Sequence, residues 1–152
     1  MLDFQGKLSS MKRLFYTEQI KTALKRAKIA VITGPRQCGK TTIARSFVSV
    51  KSINYFDLED PVSLQRLKEP MTELSRLKGV VVIDEVQRMP TLFPILRVLA
   101  DRKSVQCRFL LLGSVAPEMM RNVSETLAGR TETIELTPFS SDEILQKQTE
   151  RL

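Results

Sequence analysis

The segment "VITGPRQCGKTTIA", residues 31–44, constrains the fold more than any other part of the chain. It matches the pattern Gly-x-x-x-x-Gly-Lys-Ser/Thr through Gly34, Gly39, Lys40 and Thr41. A branched apolar run precedes the first glycine, and apolar residues at helical spacing follow the lysine. The segment therefore predicts a strand, a glycine-rich loop and a helix in immediate succession.

Elsewhere, apolar runs of strand length alternate with helical patterns. We predict strands at 29–33, 53–58, 79–83, 108–113 and 133–136, and helices at 17–28, 40–48, 61–68, 70–77, 91–102, 117–127 and from 140 to the end. Strands that are apolar at successive positions and alternate with helices indicate a mainly parallel sheet covered on both faces. The predicted class is α/β with three layers, α/β/α. The prediction is one domain over residues 1–152, in which residues 1–16 form a loose basic segment.

The sequence contains no histidine and only two cysteines, Cys38 and Cys107. The lack of histidine excludes a histidine-ligated zinc site and a Ser-His-Asp hydrolase. A disulfide framework is not expected, and the cytoplasm is the expected compartment. No apolar run approaches the roughly 18 residues of a membrane span. The first residues do not resemble a secretory signal.

The net charge is +7, and much of the excess lies before residue 29. Two interpretations are open. In the first, Lys21, Lys25 and Lys28 form the solvated face of a helix whose other face is apolar. In the second, the basic surface attracts nucleic acid. We favour the solvated face, because no aromatic-plus-basic pattern or helix-turn-helix signal supports the second.

The glycine-rich loop has the composition of a phosphate site. Glycines allow successive backbone N–H groups to point inward as an anion nest, and the start of a helix adds its positive dipole end. Lys40 would reach the β- and γ-phosphates, and the Thr41 hydroxyl would bind Mg²⁺. The alternative is a Gly-Pro turn before a helix, which the strand and helix on either side make less attractive. The predicted nucleotide-binding residues are Gly34, Pro35, Arg36, Gln37, Cys38, Gly39, Lys40, Thr41 and Thr42.

A second segment, "VVVIDEVQ", would complete this site at the end of another strand. We predict that Asp84 holds Mg²⁺ through water and that Glu85 orients or polarises an attacking water. The alternative is an ordinary acidic pair that ends a strand. In parallel sheets ligands bind at the carboxyl ends of strands. The glycine-rich loop and the pair Asp84 and Glu85 both lie at such ends.

Two further residues are candidates for contacts with the γ-phosphate. Ser114 follows the apolar run "RFLLLG", and a serine that caps a helix is the alternative role. Arg130 is the best candidate for a positive charge acting on the γ-phosphate, in cis or from a neighbouring subunit, although a surface arginine is the alternative. Weaker candidates of the same kind are Arg36, Arg88 and Arg97.

Five segments together resemble one family: "GPRQCGKTT", "YFDLEDP", "VVVIDEVQRMPTLFPILRVLAD", "RFLLLGSVAPEMMR" and "SETLAGRTETIELTPFS". They are similar to the ATP-binding domain of a prokaryotic AAA-type P-loop ATPase family, which is often joined to a C-terminal domain of unknown function. The resemblance covers residues 20–143. It implies strand order 5-1-4-3-2 and the ligands ATP and Mg²⁺. It also implies a Walker A segment at 34–42, a Walker B pair at Asp84 and Glu85, and the sensor position at Ser114.

Longer members of that family continue well past the "ELTPFS" segment. No counterpart of the helical lid of AAA+ proteins or of the appended domain is expected in this chain, so we expect lower nucleotide affinity and turnover from it alone. Three functions stay open: an ATPase, a nucleotide-binding switch with negligible turnover, and a small-molecule kinase. A DNA-associated ATPase rests on charge alone, and a homo-oligomer or a partner protein is possible. GTP is disfavoured, because an Asn-Lys-x-Asp motif that recognises guanine should follow a late strand. The one N-x-x-D segment here, residues 54–57, lies in the second strand and has Tyr55 in place of the lysine.

Overall fold

The computed structural model describes residues 4–35 and 39–136. The secondary structure alternates helices with short strands, as the apolar pattern predicts. The helices are α1 (Phe4–Arg26), α2 (Lys40–Ala44), α3 (Pro61–Arg66), α4 (Pro70–Ser75), α5 (Leu92–Asp101) and α6 (Pro117–Glu125). The strands are β1 (Ile29–Thr33), β2 (Tyr55–Asp57), β3 (Lys78–Asp84), β4 (Gln106–Gly113) and β5 (Thr131–Glu135), and a 3₁₀ turn (Val86–Arg88) follows β3.

Within the described residues, the strands form one sheet in the order β2-β3-β4-β1-β5. Read from the other edge, this is the predicted order 5-1-4-3-2, which is confirmed. Every pair of neighbouring strands is parallel. Thr33 pairs with Gly113, and Asp57 pairs with Asp84. The polar groups that end β1, β2, β3 and β4 are therefore brought to a single edge, which we call the carboxyl edge.

Alternate strand residues point to opposite faces of the sheet, and the central strands are buried on both faces. One face packs Val81, Ile83 and Phe109 against the side of the molecule that carries α3 to α6. The other packs Val82 and Leu110 against α1 and α2. The helices thus form two outer layers, and the predicted three-layer α/β/α architecture is confirmed.

Helix α1 is longer than the pattern predicts. It begins at Phe4, so the expectation of a loose segment over residues 1–16 is wrong from that residue onward. The side chains of Tyr16 and Ile20 are buried, which anchors the second half of the helix. Helix formation is cooperative once a nucleus is fixed, so the polar first half extends from that anchor. None of the helices in the described part of the chain combines the length and the hydrophobicity that a membrane span requires.

The other boundaries differ by a few residues. Helix α2 ends at Ala44 and gives way to turns, where the sequence predicts a helix to residue 48. Helix α3 starts as predicted, with Pro61 as its first residue and the Asp60 carboxylate accepting from the Val62 N–H at 2.9 Å. The helix predicted from residue 140 onward lies outside the described residues.

Candidate functional site

The end of the glycine-rich loop holds Lys40 inside the fold. Gly39 adopts φ 92° and ψ 15°, a left-handed conformation that glycine adopts without strain, and it directly precedes α2. The Lys40 side chain is buried, and its Nζ donates to the carbonyl oxygens of Gly34 at 2.7 Å and Pro35 at 2.9 Å. The ammonium group therefore lies against the loop backbone, where it can exchange these carbonyls for a phosphate oxygen.

The two threonines that follow Lys40 differ in burial. Thr41 is half-buried and faces β3, whereas Thr42 is exposed on the solvent side of α2. Arg36, Gln37 and Cys38, which are among the predicted nucleotide-binding residues, lie outside the described residues. Their participation stays a prediction.

Asp84 ends β3 directly across from the loop. One carboxylate oxygen, Oδ2, accepts hydrogen bonds from the Thr41 hydroxyl at 3.0 Å and from the Tyr55 hydroxyl at 2.8 Å. The two residues predicted to bind a metal, Thr41 and Asp84, are thus in direct contact. Tyr55 is a third member of this cluster, which the sequence did not predict.

The second carboxylate oxygen of Asp84, Oδ1, is buried and has no hydrogen-bond partner among the described residues. Burial raises the pKa of this carboxyl group, and the hydrogen bonds from Tyr55 and Thr41 offset part of that increase. Buried carboxylate oxygens are normally paired, since an unpaired one is costly. A divalent cation would satisfy this oxygen, and carboxylate and hydroxyl oxygens are ligands that suit Mg²⁺. The residues present therefore fit a bound magnesium ion.

Glu85 and Ser114 are joined by a residue that sequence reasoning missed. The Gln87 Nε2 atom donates to Glu85 Oε2 at 2.5 Å and to Ser114 Oγ at 3.1 Å. Glu85 itself has φ 57° and ψ 45°, and it is the one non-glycine residue with positive φ in the described part of the chain. Such backbone strain is concentrated at functional sites. The structure thus brings the predicted catalytic residues Glu85 and Ser114 together around one side-chain amide.

Arg130 does not join this cluster. Its carbonyl oxygen accepts from the Ile29 N–H at the start of β1, which places it at the opposite end of the sheet. Its side chain donates to both carboxylate oxygens of Asp101 at 2.8 Å and to the Ala128 carbonyl oxygen. A β1-length strand spans roughly 15 Å, so Arg130 cannot act on a nucleotide bound by its own chain in this arrangement. The expected role in cis is wrong, and a role in a neighbouring subunit stays a prediction.

The weaker arginine candidates are also separate from the cluster. Arg88 pairs with Glu59 at 3.2 Å, and both side chains are about half exposed. Arg97 is exposed on α5. Neither side chain contacts Lys40, Asp84 or Glu85 in the hydrogen bonds and ion pairs of the described residues.

A polar cavity of about 160 Å³ adjoins Thr41 and Asp84. Ionisable side chains from three different segments line it, with Arg45 after α2, Asp57 at the end of β2 and Asp60 at the start of α3. The Tyr55 hydroxyl has its pKa raised, first by burial and then by the Asp84 charge, so it remains a neutral donor. The cavity beside Asp84 is therefore strongly polar, and its lining is predominantly acidic.

Sequence patterns offered little indication of Tyr55, Arg45 and Gln87. Tyr55 has the composition of a buried strand residue, and its hydroxyl meets Asp84 only because β2 pairs with β3. Gln87 lies two residues after Glu85 within "DEVQ", and this proximity to Glu85 is the one signal that could have made it a candidate.

Comparison with known proteins assigns the chain to a family. The family described as "AAA domain" matches residues 26–145, which is most of the chain. The chain belongs to this AAA family. An uncharacterized protein of Mycobacterium bovis and one of Mycobacterium tuberculosis are each 45% identical to it over 134 residues, 88% of this chain and 30% of theirs. The chain thus spans about a third of the length of these curated relatives.

The fold of this AAA domain also matches a solved structure. A Walker-type ATPase of Pyrococcus abyssi superposes with a TM-score of 0.61 over 89% of this chain and 57% of the other, at 16% sequence identity. A likeness at that identity shows the shared fold. Family membership makes the chain a domain of the P-loop ATPase type, and the shared fold agrees with that assignment.

Proposed function

We propose that this AAA domain binds ATP together with Mg²⁺ and hydrolyses the bound ATP. The observation that carries the proposal is the Asp84 carboxylate. It is buried, it accepts from the Thr41 hydroxyl at 3.0 Å, and it leaves Oδ1 without a partner among the described residues. A structural carboxylate in this position would be fully paired, whereas a metal ligand needs a free oxygen.

Each residue of the carboxyl edge then has a separate role in binding the nucleotide or the metal ion. Lys40 binds the terminal phosphates, since its ammonium group already lies within the loop. Thr41 and Asp84 would hold Mg²⁺, with Tyr55 fixing the orientation of the carboxylate. When bound, the metal ion supplies positive charge that offsets the charge developing on the phosphate oxygens.

Glu85 supplies the step that separates hydrolysis from binding. Its carboxylate lies next to the metal ligand Asp84 and is held by Gln87. A carboxylate in this position can orient an attacking water and accept its proton. Ser114 lies on the neighbouring strand end, where its hydroxyl can donate to the γ-phosphate.

The second candidate function is a nucleotide-binding switch with negligible turnover. The chain corresponds to about 30% of the length of its curated relatives, so residues needed for turnover can lie in the remainder of such proteins. Both functions predict ATP binding by the loop. They differ in the fate of the γ-phosphate.

A single titration series separates them. Labelled ATP and GTP are titrated with and without Mg²⁺, and phosphate release is then measured on the same samples. We expect tighter binding of ATP than of GTP, dependence on Mg²⁺, and release of phosphate. Magnesium-dependent ATP binding without phosphate release would support the switch, and the absence of nucleotide binding would refute both.

The Glu85→Gln variant tests the assignment of the catalytic residue. We expect ATP affinity to be retained while phosphate release falls by about 10²-fold or more, because the amide cannot accept the proton. The matched control is Glu125→Gln, which changes an exposed glutamate on α6 and should leave both quantities unchanged. A Glu85→Gln variant that hydrolyses ATP at the parent rate would remove Glu85 from catalysis.

A further inference from the structure

We propose that Gln87 is a positioning residue that joins Glu85 and Ser114 into one hydrogen-bonded unit, which we call the Gln87 bridge. The bridge would fix the positions of the Glu85 carboxylate and the Ser114 hydroxyl relative to each other. Both groups would then face the γ-phosphate at the same time. The inference rests on the proposed function, since it concerns the residue that orients the water. It adds a third side chain, that of Gln87 in the 3₁₀ turn, to the two that we propose act at the γ-phosphate.

The chemistry of the partners fixes which way the Gln87 amide points. An ionised Glu85 carboxylate can only accept hydrogen bonds, so it must face the NH₂ group of the amide and not its oxygen. The same nitrogen donates to Ser114 Oγ at 3.1 Å. Both amide hydrogens are therefore used, one for each of the two residues.

The bridge also directs the Ser114 hydroxyl. Because Ser114 Oγ accepts from Gln87, its own proton is left to donate, and it makes no hydrogen bond within the described part of the chain. Accepting one hydrogen bond strengthens a hydroxyl as a donor in the next. Ser114 is therefore prepared to donate to a phosphate oxygen.

Two unfavourable features occur at the bridge, and a purely structural contact would not need either of them. The Gln87 Oε1 atom is buried without a hydrogen-bond partner among the described residues. Glu85 holds a left-handed backbone conformation that costs energy for any residue other than glycine. A fold that retains both features at one contact favours a functional reason for that contact.

Gly113 at the end of β4 leaves space for the Gln87 amide. A Cβ atom at this position would lie 2.8 Å from Gln87 Oε1 and would overlap the sulfur of Met119. The strand end, the 3₁₀ turn and α6 therefore meet around the amide. This packing restricts the rotamers of Gln87 and holds the bridge in place.

The first test compares Gln87→Met with the control Gln65→Met, which alters an exposed glutamine on α3. Methionine keeps the length of the side chain and removes both donors. We expect kcat for ATP hydrolysis to fall roughly 10- to 100-fold, since misplaced catalytic groups lose this much. The dissociation constant for Mg-ATP should stay within about threefold of the parent, and Tm should not fall. Parallel losses of affinity, turnover and Tm would instead show a structural role and overturn the proposal.

The second test is a double-mutant cycle with Ser114→Ala. If Gln87 acts through Ser114 as well as Glu85, the two substitutions interrupt the same unit. The double variant should then be no slower than the worse single variant, since residues in one network are not additive. A rate loss equal to the product of the two single losses would show that Gln87 and Ser114 act independently and would overturn the bridge.

The third test does not depend on hydrolysis. The side-chain amide signal of Gln87 is identified in a ¹H–¹⁵N spectrum by its absence from Gln87→Met. We expect it to shift in Glu85→Gln and in Ser114→Ala, and again when Mg²⁺ and a non-hydrolysable ATP analogue are added. A signal that is unchanged in both variants would overturn the bridge. If the parent binds ATP but releases no phosphate, that result refutes the proposed hydrolysis alone, and this spectrum still decides on the bridge.

Discussion

The two ends of the sheet both carry charged side chains, but they differ in how completely those charges are hydrogen-bonded. At the amino end, Arg130 and Asp101 form a two-point pair in which both bonds measure 2.8 Å. At the carboxyl edge, Asp84 keeps one buried oxygen without a partner among the described residues, and Gln87 keeps another. The Arg130 pair is complete, whereas the carboxyl edge is not.

This difference separates structural charges from a ligand site. A salt bridge at a partly exposed surface is satisfied by its partner and by water, and it leaves nothing for a ligand to complete. Buried oxygens without partners are uncommon in folded proteins and need an explanation. Sequence alone predicted a ligand role for Asp84 and left Arg130 open between a charge on the γ-phosphate and a surface arginine. The hydrogen bonds of the two residues distinguish them clearly.

The largest effect is expected at Lys40, because its ammonium group lies against the glycine-rich loop that we propose binds phosphate. Lys40→Ala should weaken ATP binding by roughly 10- to 100-fold or more, the scale of losing a charge-assisted hydrogen bond. Nucleotide titration followed by fluorescence or calorimetry measures this. The control Lys78→Ala removes an exposed lysine at the start of β3, at the amino end of the sheet, and should leave ATP affinity unchanged. An affinity of Lys40→Ala within about threefold of the parent would contradict the phosphate-binding role.

A smaller effect is expected at Tyr55, which contacts Asp84, the proposed metal ligand, and is not among the residues proposed to bind the nucleotide. Tyr55→Phe removes the 2.8 Å hydrogen bond to Asp84 Oδ2 and leaves the one from Thr41. The affinity for Mg²⁺ in the presence of ATP should fall roughly tenfold, as with other residues that orient metal ligands. Titration of Mg²⁺ at fixed ATP checks this against Tyr16→Phe, a change to the other tyrosine, which lies on α1. Equal Mg²⁺ dependence in both variants would argue against a role for Tyr55 in orienting Asp84.

The fold could be predicted from the sequence because its signals are local and repeated. The central strands β1, β3 and β4 are largely apolar runs, and helical patterns alternate with the strands, so the class follows from the order of elements. The strand order came from the resemblance to a family and was confirmed. Helix α1 was predicted too short because its first half has little apolar periodicity and is extended by cooperativity from the buried Tyr16.

The site could be predicted only where it coincides with a motif. Lys40, Thr41, Asp84 and Glu85 lie in two segments of recognisable spacing, and the structure brings them together. Tyr55 and Gln87 act through pairing across strands and through a turn, and no periodic pattern marks such contacts. The prediction for Arg130 did not use its position, since Arg130 lies shortly before the predicted strand at 133–136. In a parallel sheet a residue before a strand lies at the amino end, away from the ligands.

The smallest effect is expected at Arg130, and it tests the complete pair directly. Arg130 lowers the pKa of Asp101, so the pair contributes stability while Asp101 is ionised. That contribution is present above the unfolded pKa of about 3.9 and disappears as the pH falls through the lower folded value. Arg130→Ala should therefore lower Tm slightly at neutral pH, and the difference from the parent should shrink toward pH 3. A Tm difference that is independent of pH would show that the ion pair does not cause it.

The same variant tests the remaining role in a neighbouring subunit. In dilute solution, Arg130→Ala should match the parent in ATP affinity and in phosphate release, since its side chain lies at the end of the sheet away from Asp84. If Arg130 reaches the nucleotide of another copy, the parent rate per chain should rise with protein concentration and the variant rate should not. Equal rates at every concentration would leave Arg130 as a surface pair with Asp101, because an arginine that acts between subunits requires their association.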